Sequence, residues 1–89
     1  MSKSYTIEFN GTGEVSEGFF ANDTEATGWV ESVLETLGYS ADEIVSGDWD
    51  TDGQNDNGET CERMLFWADE AASENDPGSN AVCKLCVVR

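Results

Sequence analysis

The sequence predicts an α+β fold: an antiparallel sheet of about four to five strands with one amphipathic helix packed on one face. Three observations carry this expectation. Apolar residues alternate with polar ones at the start of the chain, at Tyr5, Ile7 and Phe9, the period of a half-buried strand. Ala26, Trp29, Val30, Val33, Leu34 and Leu37 fall at offsets 0, 3, 4, 7, 8 and 11, one face of an α-helix. The chain closes on an apolar run from Ala81 to Val88, broken only by Lys84. At 89 residues, residues 1–89 make a single domain, near the lower end of what folds on one core.

In chain order, Asn10-Gly11-Thr12-Gly13 is a turn cluster. Val15 and Phe19 resume the alternation after it, so residues 5–20 read as a β-hairpin. Asn22 with Glu25 three positions on has the form of a capping box. It opens a helix over about 23–37, and Gly38 sits where a C′ glycine would end it. Glu31 and Glu35 lie four apart on the polar face, a like-charged pair that costs a few tenths of a kcal/mol, roughly. Residues 40–43 suit a second capped turn. Ile44-Val45 starts a strand toward Trp49, and 47–60 read as a loop or hairpin tip. Residues 61–68 fit either strand or helix by periodicity. A strand over 62–67 is preferred, because a sheet begun by the first hairpin needs further strands to bury its face. Residues 74–79 read as a turn, and 81–88 as the last strand.

The charge is one-sided. Between Lys3 and Arg63 there is no basic residue, while residues 4–62 carry fifteen carboxylates; the formal net charge is −15. A compact domain normally intersperses both signs, since like charge repels itself. This sign excludes direct binding to nucleic acid, which needs cations against phosphate, and binding to an anionic membrane surface. The apolar fraction of 38% with three Trp and four Phe argues against disorder. The chain opens Met1-Ser2-Lys3-Ser4-Tyr5 without the apolar core of a secretion signal, and no stretch approaches a membrane span. The odd set Cys61, Cys83 and Cys86 then reads as reduced thiols in a cytoplasmic protein.

Few residues offer chemistry. Asp48-Trp49-Asp50-Thr51-Asp52-Gly53-Gln54-Asn55-Asp56-Asn57-Gly58-Glu59 satisfies the calcium-loop pattern D-x-[DN]-x-[DN]-G-x₅-E and resembles an EF-hand loop. In that reading Asp48, Asp50 and Asp52 supply side-chain oxygens and Gln54 its carbonyl. Asp56 acts through water, Glu59 is bidentate, and Gly53 permits the turn. Asn55 stands where an aliphatic residue normally packs, and no second loop follows. The competing reading is an acidic hairpin tip whose Asp and Asn residues make local turn hydrogen bonds. Cys83-Lys84-Leu85-Cys86 is a C-x₂-C, but strand residues three apart point to opposite faces and there is no His to complete a zinc site. Buried thiols are the simpler reading. Without His, the commonest general base is missing, so an enzyme is not expected, nor any cofactor beyond calcium. Trp29 belongs to the helix core; Trp49 and Trp67 suit half-buried strand positions or interface anchors.

Carboxylates on alternate strand residues stand about 6.6 Å apart and those four apart on a helix about 6 Å. Regular rows of that kind can replace a run of phosphates in a groove lined by Lys and Arg, with encounter sped by long-range attraction and affinity falling with salt. The contact residues expected on these grounds are Glu31, Glu35, Asp48, Trp49, Asp50, Asp52, Asp56 and Glu59. The base-free acidic run 4–62, the length of 89 residues and the single α+β domain together resemble the small, acidic, phage-encoded DNA mimics, a class that includes anti-CRISPR and anti-restriction proteins. The resemblance implies a stoichiometric inhibitor that binds the basic nucleic-acid-binding surface of a host defence complex, a CRISPR effector or restriction enzyme. It would block target DNA binding in the cytoplasm of an infected bacterium. Two other readings remain at this point: a calcium-binding module built on 48–59, and a generic acidic domain adapted to high salt.

Overall fold

The computed structural model describes residues 2–89. Nine elements follow along the chain: β1 (Lys3–Phe9), β2 (Val15–Phe20), α1 (Asp23–Thr36), β3 (Val45–Ser46), β4 (Asp50–Gln54), β5 (Thr60–Trp67), α2 (Glu70–Glu74), α3 (Pro77–Asn80) and β6 (Cys83–Val88). The fold is α+β: one antiparallel sheet in the order β2-β1-β6-β5-β3, with β4 also on β5. β3 and β4 share one edge. Val45 pairs Trp67 and Ser46 pairs Phe66, whereas Asp50 pairs Arg63 and Thr51 pairs Glu62, so the register slips by one residue across 47–49. The six strands therefore fill five positions, close to the count read from the sequence.

Two expected loops are ordered elements. Residues 50–54, read as part of a tip, form β4. Asp, Gly and Gln have little strand preference of their own; backbone pairing with β5 holds them extended. The segment read as a turn at 74–79 runs into α3, opened by Pro77 in the first turn. Before it, the Asp69 carboxylate accepts from Ala72 N at 2.8 Å and caps the short α2. The ambiguous segment from residue 61 resolves as strand up to Trp67, and the last strand begins at Cys83 rather than Ala81.

The helix α1 forms where its signals lie. Asn22 Oδ1 accepts from Glu25 N at 2.9 Å, and Glu25 Oε2 accepts from Ala21 N at 3.0 Å. At its other end Gly38 N donates to Glu35 O and Tyr39 N to Leu34 O, the paired bonds of a Schellman cap. Ala26, Val30 and Leu34 are buried on one sheet face against Tyr5 and Ile7 of β1, Cys83, Leu85 and Val87 of β6, and Phe66 of β5. Ile44 and Trp49, from the connection after α1, pack on the same core. The opposite sheet face is covered at one end only. There the Trp67 indole donates to Pro77 O at 2.8 Å, and Asn10 Nδ2 donates to Ser79 O and Ala81 O. Among the described residues, no helix is long and apolar enough to cross a membrane.

Candidate acidic interface

An acid-rich surface is shaped by where its few cations go, and three of the four bases sit in pairs. Arg89 closes the open end of the covered face. Its guanidinium donates to both Asp23 carboxylate oxygens, Nη1 at 3.0 Å and Nη2 at 2.9 Å, while Nε donates to Glu62. The guanidinium carbon lies 4.8 Å from the Trp49 ring centroid, within cation–π range. The Tyr5 hydroxyl donates to Asp23 Oδ1 at 2.7 Å. The Arg89 hydrogen bonds hold the Asp23 carboxyl below its usual range, against the opposing effect of its burial. Burial, then the bond to Asp23, pushes the Tyr5 phenol up to about 12. The two carboxylates raise Arg89 further above its already high value. Asp23 also stands in the first turn of α1, where the helix dipole favours a carboxylate.

The second group lies on the open sheet face. Lys84 Nζ is 3.6 Å from both Glu8 and Asp52, and Arg63 Nη1 is 3.8 Å from Asp52. These distances and their solvent exposure make the pairs weak, but they place Asp52 among cations. Asp50, opposite Arg63 in the register, shares that face with Asp52. The residue inserted at 47–49 breaks the alternation, so Asp48 does not continue the row. The expected file of Asp48, Asp50 and Asp52 is thus divided: Asp52 is ion-paired, Asp50 stands across from Arg63 without an ion pair, and Asp48 lies exposed in the connection before β4.

Residues 55–59 turn the chain between β4 and β5. Asn55 N donates to Glu59 O, Gly58 N donates to Asn55 O, and Asn55 Oδ1 accepts from the backbone N of Asn57 and of Glu59. Gly58 takes φ 79° and Gly53 φ 87°, both left-handed positions that favour glycine. The motif's Asn and Gly therefore serve a hairpin. Asp48, Asp50, Asp52, Gln54, Asp56 and Glu59 do not wrap a common centre as a calcium loop requires: β4 is extended, Asp52 faces Lys84 and Arg63, and Glu59 Oε1 accepts from Asn55 Nδ2. Among the described residues, no three Cys, Asp or Glu side chains are grouped to hold a metal ion. All three cysteines are free thiols; Cys83 is buried, which pushes its pKa up to about 12, and burial raises Cys86 as well.

The helix supplies the other expected contacts. Trp29 packs on Phe20 of β2, ring centroids 5.0 Å apart. At about 100° per residue, Glu31 and Glu35 lie roughly 200° and 240° round the helix from Trp29. They face away from the β2 side, and both are exposed, as are Asp48, Asp56 and Glu59. Trp49 is half-buried, packed on the core beneath Arg89, so it props the acidic surface from below. Arg89 and Asp23 were the residues the sequence reading missed. The available signal was scarcity: in a chain with four bases and nineteen acids, each base is a structural commitment. Comparisons with protein-family models, with curated proteins and with solved structures returned no match.

Proposed function

We propose that this chain is a stoichiometric inhibitor that presents a carboxylate surface to the nucleic-acid-binding groove of a host defence complex, a CRISPR effector before a restriction enzyme, in the cytoplasm of an infected bacterium. One observation carries the reading. Arg63, Lys84 and Arg89 are paired with Glu8, Asp23, Asp52 and Glu62, which leaves fifteen of the nineteen carboxylates without an ion pair among the described residues. Three of the four positive charges are paired with carboxylates of the fold, and with a net charge of −15 the outward field stays negative. Glu31, Glu35, Asp48, Asp50, Asp56 and Glu59 are the exposed carboxylates of the expected contact set that stand in no ion pair. Such a field steers a basic partner and repels nucleic acid itself. No catalytic step belongs to this activity.

The test is competition. Purified CRISPR effectors and restriction enzymes are assayed for target DNA binding by gel shift at low salt with the protein in molar excess. The reading expects at least one complex to lose DNA binding, with recovery at high salt and on adding excess DNA. Undiminished DNA binding by every complex in the panel would overturn it.

A further inference from the structure

Carboxylates alone give a long-range field with little short-range grip, and one feature of the covered face supplies what they lack. Between the last turn of α1 and the turn joining β1 to β2 lies an open cleft of about 480 Å³. Phe9, Val33 and Val82 line it and pack against the edge of the core. Leu37 and Tyr39 also line it, yet stay 58% and 36% exposed. Both belong to the Schellman cap: Leu37 is the C-cap of α1, and Tyr39 N is bonded to Leu34 O. Backbone bonds therefore present these two apolar side chains to water without closing the cleft beneath them.

The charge around the cleft selects its occupant. Glu14 is part of the lining. The last turn of α1 carries no basic residue, so the negative end of the helix dipole is uncompensated where the cleft opens. A second copy of the chain would bring another net charge of −15 to the contact, and like charge opposes that. A cationic segment bearing one apolar side chain meets both features at once. We infer that this cleft is an anchor pocket for a Leu, Met or aromatic side chain projecting from a Lys/Arg-bearing segment of the partner protein. The inference rests on the reading of a basic partner and adds a buried apolar centre to it, the usual seat of binding energy in an interface. The cleft is large enough to take one such side chain whole, and burying it is worth roughly tenfold or more in affinity.

The test uses two short Lys/Arg peptides of equal charge, one with a central Phe and one with Ser in its place, titrated into the ¹⁵N-labelled chain at low salt. The Phe peptide is expected to bind roughly tenfold tighter and to shift the amides of Gly11, Thr12, Val33, Leu37 and Tyr39. The double variant Leu37→Ser, Tyr39→Ser should erase that difference while leaving the affinity for the Ser peptide unchanged. Neither side chain belongs to the buried core, and a melting curve confirms that the variant stays folded. Equal affinity of the two peptides would overturn the anchor pocket and leave the basic-partner reading standing. So would shifts centred on the open sheet face at Phe19 and Val88, or a concentration-dependent dimer in sedimentation. Failure of both peptides to bind would overturn the two together.

Discussion

The same residue type does opposite work at two places in this molecule. At the Arg89 corner, Asp23 and Glu62 are tied to a guanidinium, Tyr5 and Trp49, and their charge is absorbed into the fold. On the outer flank of α1 and at the hairpin tip, Glu31, Glu35, Asp56 and Glu59 meet no cation among the described residues, and their charge is exported. The difference lies in geometry, since both regions draw on one acid-rich composition. Four bases cannot neutralise nineteen acids, so where each base is placed decides which acids become structure and which become field.

The strongest way to break this contrast is to free the absorbed acids. Arg89→Ala removes a bidentate pair, a second carboxylate contact and a cation–π contact together. A charge-assisted bond is worth about 1.5–3 kcal/mol, and the carboxylates left behind reach solvent, so the expected loss is about 2 kcal/mol. For a domain of this size that lowers Tm by about 10 °C. Arg89→Lys keeps the charge without the planar fork and should recover only part of it. The pH dependence follows from the same contacts. Because the folded Asp23 pKa is depressed, its contribution is present above the unfolded carboxylate value and lost as pH falls through the folded value. The acid unfolding midpoint should move upward in Arg89→Ala. On the alkaline side the sign reverses: with Tyr5 raised from 10.0 to about 12, its contribution is complete below pH 10 and lost on the way to 12. Cys83, raised from 9.0 to about 12, titrates over an overlapping window. Tyr5→Phe and Cys83→Ala, followed by denaturant unfolding against pH, separate the two.

These contrasts were unevenly legible in the sequence. The helix was legible from Asn22 to Gly38, because its caps and its apolar face are local signals. The first hairpin was legible because one buried face imposes a period of two, and the last strand because Ala81 to Val88 is a short apolar run broken only by Lys84. β4 was not: Asp50, Asp52 and Gly53 have little strand preference, and the segment is held in the sheet, with an irregularity between Thr51 and Gln54, because β5 offers it backbone partners. The neutralisation of Asp52 was hidden for a related reason, since Arg63 and Lys84 arrive from two other strands. The pairing of Arg89 with Asp23 spans 66 residues, beyond any local pattern. Asp69 and Pro77 were different. A cap and a first-turn proline were present in the chain, and the turn-forming residues between them masked two short helices.

The tip sharpens the contrast from its other side, since its backbone can be loosened without touching a cation. Gly58 holds φ 79° in the hairpin turn, where an L side chain costs about 1 kcal/mol. Gly58→Ala should lower stability by about that much in urea, with an unchanged m-value, and Asn55→Ala should act in the same direction by removing the acceptor of Asn57 N and Glu59 N. Because the turn is built from these bonds, calcium should rescue neither variant. At equal millimolar concentration, calcium and magnesium should raise Tm alike, through screening of the net charge. A rise specific to calcium, absent in Asp50→Asn, would return the 48–59 motif to metal binding.

The smallest effect on the fold carries the sharpest functional contrast. Glu35 lies four residues after Glu31 and near the end of α1, whose last turn contains no basic residue. Glu35→Lys converts a repulsive pair into one in the favourable Glu-to-Lys order and places a cation at the negative end of the helix dipole. Each change is worth a few tenths of a kcal/mol, so the variant should be more stable by about 0.5–1 kcal/mol at low salt. The gain should shrink as salt is added. The same substitution removes two units of negative charge from the exported field, so partner binding should weaken and its salt dependence become shallower. Arg89→Ala predicts the reverse combination, lower stability with the exported field intact. A Glu35→Lys variant that gained stability and kept full partner affinity would show that the outer flank of α1 lies outside the contact surface, and would confine the exported charge that matters to the hairpin tip.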